Sequence, residues 1–299
     1  MFYQKGCLVA LVTPMEADGS ISWQHLNDLI DWHIESGTSG IVVVGTTGES
    51  ATINVTEHVQ IIEIAVEHAN NRIPVIAGTG ANSTKEATYL TSAAKQAGAS
   101  AALLVTPYYN KPTQQGLIDH YLEIANEVDL PQILYNVPSR TGCDMLPETV
   151  FELAQHKNIV GLKEALPDLK RLEELKDVLK EVLNNKSFLL YSGDDSTSTE
   201  FLIKGGHGTI SVSANIVPKR MSKIFDLVNK GLIEEAKEVD SKLSILYEDL
   251  FIESSPIPVK WALNKLGRIP VGIRLPLTVL KQDFHNKIVQ TLAKLGLLE

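Results

Sequence analysis

Eight short runs of apolar residues recur along the chain, at 8–12, 41–44, 75–77, 101–105, 133–135, 159–162, 188–191 and 209–212, and longer segments of helical period separate most of them. The runs are continuously apolar rather than alternating, as expected for strands of a parallel sheet buried on both faces. The intervening segments supply the cover. After Asn54-Val55-Thr56-Glu57, which has the form of a helix-capping signal, Val59, Ile62, Ala65, Val66 and Ala69 fall on one side of a 3.6-residue period. After Pro167-Asp168 the same holds for Leu172, Leu175, Leu179 and Val182, and Ser22 is placed to cap a helix with Leu26, Leu29, Ile30 and Ile34 inward. Eight strand–helix units in so regular an order predict a closed (β/α)8 barrel of the TIM type rather than an open doubly wound sheet. Beyond Lys219 the pattern is helical only, through 224–228, 233–250, 259–266 and 277–295, with no Gly- or Ser-rich linker before it. The expected division is a catalytic barrel over 1–224 and a carboxyl-terminal helical region over 225–299, packed on the barrel or on a neighbouring subunit.

Composition removes several classes of partner. With 27 Lys and Arg against 36 Asp and Glu, the net charge of −9 supplies no cationic field for nucleic acid or anionic lipid. The longest uncharged run, Gln96 to Asn110, contains Gly98 and Pro107 and is too short for a membrane span. The apolar stretch after Met1 to Lys5 stops at Thr13-Pro14, too short for a secretory signal. Cys7 and Cys143 are far apart and outside any Cys-x-x-Cys, which indicates neither a disulfide framework nor a thiolate metal site and makes a reduced cytoplasm the expected compartment. The 8 histidines form neither His-x-His nor His-Glu-x-x-His, so no metal is expected. Gly78-Thr79-Gly80-Ala81-Asn82-Ser83 mimics a dinucleotide fingerprint, but Ser83 stands in place of its last glycine, and no cofactor is expected.

In such a barrel, chemistry sits where strands end. Lys163 follows Ile159-Val160-Gly161-Leu162, which delivers an amine to the end of an apolar strand. Desolvation there penalises a charged amine, and a neutral one can condense with a ketone to form an imine, an electron sink that needs no coenzyme. The plainer reading is a lysine paired with Glu164 or reaching to solvent. Tyr135 ends the preceding run, where its phenol can both accept and donate a proton, and Thr46 offers a hydroxyl to link it onward. Taken singly, these two read as a core aromatic and a turn residue. Gly45-Thr46-Thr47-Gly48 allows backbone N–H groups to approach a small anion, and Arg140 can hold a carboxylate with two hydrogen bonds. Asp194-Asp195 is expected to cap the helix that follows it.

Gly45-Thr46-Thr47-Gly48-Glu49-Ser50, Pro107-Tyr108-Tyr109-Asn110, Tyr135-Asn136-Val137-Pro138-Ser139-Arg140-Thr141-Gly142 and Gly161-Leu162-Lys163-Glu164 together resemble the 4-hydroxy-tetrahydrodipicolinate synthase family, also called dihydrodipicolinate synthase. The likeness continues through Ser192-Gly193-Asp194-Asp195, Gly208-Thr209-Ile210-Ser211-Val212 and Pro256-Ile257-Pro258-Val259-Lys260-Trp261, covering essentially the whole chain in order. The resemblance implies condensation of pyruvate with L-aspartate 4-semialdehyde, the entry to diaminopimelate and lysine. It implies that Lys163 forms the Schiff base and that Tyr135, Thr46 and Tyr109 relay protons, Tyr109 coming from an adjoining subunit. Thr47 would bind the pyruvate carboxylate, Arg140 the carboxylate of the aldehyde, and the Ile210 carbonyl would line the pocket. A homotetramer built as a dimer of dimers is implied, with a lysine feedback site at Ser50, Ala51, His58, Asn82, Glu86 and Tyr108. Val55 stands where lysine-sensitive members often carry histidine, and Ser255 replaces the asparagine common before Pro-Ile-Pro.

Two other readings compete. N-acetylneuraminate lyases and 2-keto-3-deoxy-sugar aldolases share the lysine and tyrosine, but generally not Thr46-Thr47 together with Ser139-Arg140. A barrel that binds small anions without catalysis is the second, and the conjunction of Lys163, Tyr135 and Thr46 disfavours it.

Overall fold

The computed structural model describes residues 2–185 and 188–298. Its strands are β1 (Gly6–Ala10), β2 (Gly40–Val43), β3 (Val75–Gly78), β4 (Ala101–Val105), β5 (Gln132–Asn136), β6 (Ile159–Glu164), β7 (Leu189–Ser192) and β8 (Gly208–Ser211). They pair in sequence order, all parallel, and β8 returns to β1 to close the barrel. The (β/α)8 expectation holds, with each strand at one of the apolar runs.

Several ends differ from those the sequence suggests, for local reasons. β1 stops at Ala10 because the Val12 N–H turns away to the side-chain oxygen of Asn215, at 3.1 Å. β6 extends through Glu164, so Lys163 lies within the strand rather than beyond it. A register irregularity between Gln132 and Ile133, facing Ile159 and Gly161, precedes this extension. Asn54 caps the helix Val55–Ala69 as expected: its Oδ1 accepts the Glu57 N–H at 2.9 Å, and its amide donates back to the Glu57 carboxylate at 2.8 Å. Ser22 does not cap Trp23–Glu35, since its hydroxyl is bonded to Nδ1 of His25 at 2.8 Å. The stripe Leu172, Leu175, Leu179 and Val182 is buried throughout but spans two helices, Lys170–Val178 and Lys180–Asn185. Similarly, the segment expected helical over 233–250 is split into Ile233–Ser241 and Ser244–Asp249, and the last helix, Gln282–Lys294, starts well after Leu277. Residue 224 falls inside the helix Pro218–Asn229, which packs against β1.

Two apolar layers hold the barrel. Leu8, Ala10, Val42, Ile76, Leu103, Ile133, Tyr135, Val160, Leu189, Tyr191 and Ile210 fill the interior, and a larger layer lies between strands and helices. The closing seam tolerates no side chain at Gly208. A Cβ there would lie 2.5 Å from the Gly6 carbonyl oxygen and 3.0 Å from the Tyr191 ring. Gly208→Ala is therefore expected to destabilise the protein by about 2 kcal/mol or more. Denaturant unfolding monitored by circular dichroism checks this, and an unshifted midpoint would contradict it.

Candidate active site

At the carboxyl end of the barrel, β5 and β6 bring two of the expected residues together. Tyr135 and Lys163 are register partners, and the Lys163 Nζ stands 4.3 Å from the centroid of the Tyr135 ring. Both are buried, at 7% and 5% exposure. Among the described residues, Lys163 has no carboxylate within ion-pairing distance, and Glu164, the neighbour a structural lysine would use, bonds instead to Asn136 and the Leu166 N–H. The amine thus receives cation–π contact from a phenol face but no counter-ion. Gly193 gives it room: a Cβ at that position would lie 2.8 Å from the Lys163 Cε.

Above the strands lies a cavity of about 450 Å³ lined by Thr46, Ser50, Ala51, Val105, Tyr108, Val137, Arg140 and Ser255 among others. Thr46 and Arg140 therefore share one space, whereas Lys163 and Tyr135 are not on its lining. Arg140 Nη2 donates to the Ser255 carbonyl at 3.3 Å, which ties the guanidinium to the carboxyl-terminal segment. Thr47 and Ile210 are buried, the latter in β8 beside Leu8 of β1. Neither the Tyr135 phenol nor the Thr46 hydroxyl bonds to another described residue. Tyr109 is 90% exposed and does not line the cavity of its own chain.

Of the residues expected to form a feedback site, Ser50, Ala51 and Tyr108 line the cavity. The Asn82 amide donates to the Tyr108 carbonyl at 3.3 Å, and the charge of Glu86, after burial itself, pushes the Tyr108 phenol up. His58 stands apart: its Nε2 is 2.7 Å from the Gly78 carbonyl, and burial holds the ring below the ordinary histidine range.

The loop that presents Thr46 and Thr47 is strained. Val44 takes φ +46° and Glu49 φ +61°, and for a β-branched residue the left-handed region is costly. Three contacts hold this shape. The Thr13 hydroxyl donates to the Gly48 carbonyl at 2.7 Å. The buried Glu49 carboxylate pairs with Lys260, from the helix Ile257–Lys265, and accepts the Arg274 N–H at 3.2 Å. Arg274 in turn grips Glu57 through two bonds of 2.7 Å. Burial pulls the Lys260 ammonium down against the attraction of Glu49. Asp195 also departs from expectation. Of the pair expected to cap the following helix, Asp194 accepts the Thr197 N–H at 3.0 Å just ahead of Ser198–Ile203, whereas the Asp195 carboxylate accepts the Val212 and Ser213 N–H groups at 3.1 and 2.7 Å, fixing the chain just after Ile210.

The sequence pattern assigns no role to Gly193 or Lys260, and it assigns Asp195 a different one from the contact it makes. Gly193 carried a signal, a glycine directly after a strand at the expected mouth. The Glu49–Lys260 pair spans 211 positions, and no local pattern announces it.

A closed parallel barrel with polar side chains gathered at the carboxyl ends of its strands defines a class, the (β/α)8-barrel enzymes. Within that class the chain belongs to the dihydrodipicolinate synthetase family, whose model matches residues 3–295. It is 55% identical over 293 residues to the 4-hydroxy-tetrahydrodipicolinate synthase of Pseudomonas savastanoi pv. phaseolicola, covering 98% of this chain and 99% of that one. The crystal structure of the chloride-inhibited dihydrodipicolinate synthase from Acinetobacter baumannii complexed with pyruvate is 50% identical, with a TM-score of 0.94 over 98% of this chain and 99% of that one. The Thermotoga maritima enzyme, 39% identical, gives 0.96 over 99% and 100%.

Lys260→Met leaves Glu49 as a buried, unpaired charge and is expected to destabilise the protein by about 3–5 kcal/mol. Adding Glu49→Gln should recover part of that loss. Thermal unfolding of both variants measures it, and equal stability of the single variant and the parent would contradict the pairing's role.

Proposed function

We propose that this chain condenses pyruvate with L-aspartate 4-semialdehyde to give 4-hydroxy-tetrahydrodipicolinate, through an imine on Lys163. The observation that carries the reading is an amine buried against Tyr135 with no carboxylate within ion-pairing distance among the described residues. Family membership and the full-length likeness to synthases of this name support the choice of substrates over those of sugar-acid aldolases.

In this mechanism the Lys163 Nζ adds to the keto carbon of pyruvate, and a carbinolamine forms. Loss of water, with protons passed through the Tyr135 phenol, yields an iminium. Loss of a methyl proton then gives an enamine, whose carbon adds to the aldehyde of the second substrate. The substrate's own amine attacks the imine carbon, closes the ring and releases Lys163. Thr47 holds the pyruvate carboxylate, Thr46 links Tyr135 onward, the Ile210 carbonyl faces the bound acid, and Arg140 holds the carboxylate of the aldehyde.

The relay is completed by Tyr109 of a second copy in a homotetramer arranged as a dimer of dimers. Two facts support this: Tyr109 is exposed in its own chain, and the Tyr135 and Thr46 hydroxyls have no hydrogen-bond partner among the described residues. Ser50, Ala51, His58, Asn82, Glu86 and Tyr108 would receive lysine at the dimer interface, with the His58 ring oriented by its bond to Gly78 and Val55 offering no polar contact. No helix of the described residues is long and apolar enough to cross a membrane, in keeping with a cytoplasmic enzyme.

Borohydride added with pyruvate should reduce the imine and leave a mass adduct on the peptide containing Lys163. Tyr135→Phe should lower kcat by about 100-fold, within the range set by lost acid–base catalysis, while pyruvate affinity stays within a fewfold of the parent. An active enzyme that forms no adduct would sink the reading, and an unchanged kcat would remove Tyr135 from the relay.

A further inference from the structure

The backs of the two strands that carry Tyr135 and Lys163 share one buried polar cluster. Side chains alternate along a strand, so Asn136 and Glu164, the residues that follow, face away from the barrel interior. They too are register partners between β5 and β6, and they are 0% and 3% exposed. The Asn136 amide donates to the Glu164 carboxylate at 3.0 and 3.2 Å and to Asp144 at 2.8 Å. Its own oxygen accepts the Met145 N–H at 3.0 Å. Glu164 also accepts the Leu166 N–H at 3.1 Å. Arg171, from the helix Lys170–Val178, closes the cluster by forking onto Asp144 at 2.8 and 3.1 Å. It stands 3.7 Å from Glu164 and 3.4 Å from Glu174.

One guanidinium therefore faces three carboxylates, and Glu164 is the most buried of them. Burial pushes its carboxyl up to about 7, against the pull of Asn136, the Leu166 N–H and Arg171, and the charge of Asp144 adds to the rise. Asp144, although burial opposes it, is held below the ordinary carboxylate range by its bonds to Arg171 and Asn136. The groups that face Glu164 are thus Asn136 from β5, Asp144 from the segment after it, and Arg171 from the covering helix, with Glu174 reaching only the far side of that guanidinium and Lys163 on the opposite side of its own strand.

We propose that Glu164 is a positioning residue for the carbon–carbon bond-forming reaction: its carboxylate pins the Asn136 amide and so locks the ends of β5 and β6 in the register that sets Tyr135 against Lys163. The proposal rests on the imine chemistry assigned to Lys163. A hydrogen bond to a carboxylate is roughly twice as strong as one to a neutral acceptor. Protonation of Glu164 weakens the Asn136 bonds, removes the attraction to Arg171, and loosens the pair of strand ends. The sign follows: the lock is complete above the Glu164 titration and is lost as pH falls through it.

The test uses the intact enzyme. kcat, KM for pyruvate and borohydride trapping are followed from about pH 5.5 to 9 in the parent, Glu164→Gln and Asp144→Asn. The parent should show an inflection in kcat near neutrality. Glu164→Gln should lose that inflection and about tenfold in kcat, with KM for pyruvate within about twofold, as expected when reacting groups are misplaced rather than binding removed. Asp144→Asn removes a neighbouring anion and frees Arg171 for Glu164, so its inflection should move to lower pH. A Glu164→Gln enzyme with the parent's kcat and an intact inflection overturns the proposal. Should that variant fail to fold, an Asp144→Asn profile identical to the parent's overturns it equally. Failure of trapping at Lys163 in the parent would strike the imine itself, whereas trapping in the parent together with an unaltered Glu164→Gln strikes only the role of Glu164.

Discussion

An amine kept out of water, with no counter-ion among the described residues, is the constraint on which the rest of this structure depends. Burying an unpaired cation is costly, and a chain that only needed stability would place a leucine at the end of β6 or move Glu164 within reach of the amine. Instead Lys163 points into the barrel against the Tyr135 ring, and Glu164 points outward to Asn136 and Arg171. Strand alternation makes this separation automatic, since adjacent residues on β6 cannot share a face. The same geometry keeps the acid that might have neutralised the lysine on the far side of the sheet.

The loops around the lysine carry cost of their own. Val44, Glu49, Tyr109 and Lys111 all have positive φ, and all lie at the carboxyl ends of β2 and β4 or just beyond. Such backbone persists only when its surroundings over-determine it. For the 45–50 loop those surroundings are Thr13, Lys260 and Arg274, two of which come from the carboxyl-terminal region. The helical appendix therefore braces the mouth of the barrel, and Arg140 reaches the same region through Ser255. This coupling gives the region after residue 229 a part in shaping the cavity beyond simple cover.

The barrel itself was legible because its signal is short-range. A parallel strand buried on both faces must be apolar throughout, and eight such runs leave few architectures. Cap chemistry was only partly legible: Asn54 and Ser22 offer the same kind of oxygen, but a histidine three residues on captures the serine hydroxyl. Helix breaks after Val178 and Ser241 were hidden because the apolar stripe runs on across them. The pairing of Lys163 with Tyr135 at adjacent strand ends, and the gathering of Thr46 and Arg140 around one cavity, follow from the places of these residues at or just after run ends. Glu49–Lys260 and the Asn136–Glu164–Arg171 cluster were not legible, since contacts between residues distant in sequence leave no periodic trace.

The central claim is that Lys163 bonds covalently to a keto acid while Tyr135 stands beside it. A crystal structure of the enzyme grown with pyruvate tests this most directly. The account predicts continuous density from the Lys163 Nζ to the second carbon of pyruvate, with the phenol of Tyr135 beside the new bond. Pyruvate held elsewhere in the barrel, with the lysine unmodified, would contradict it.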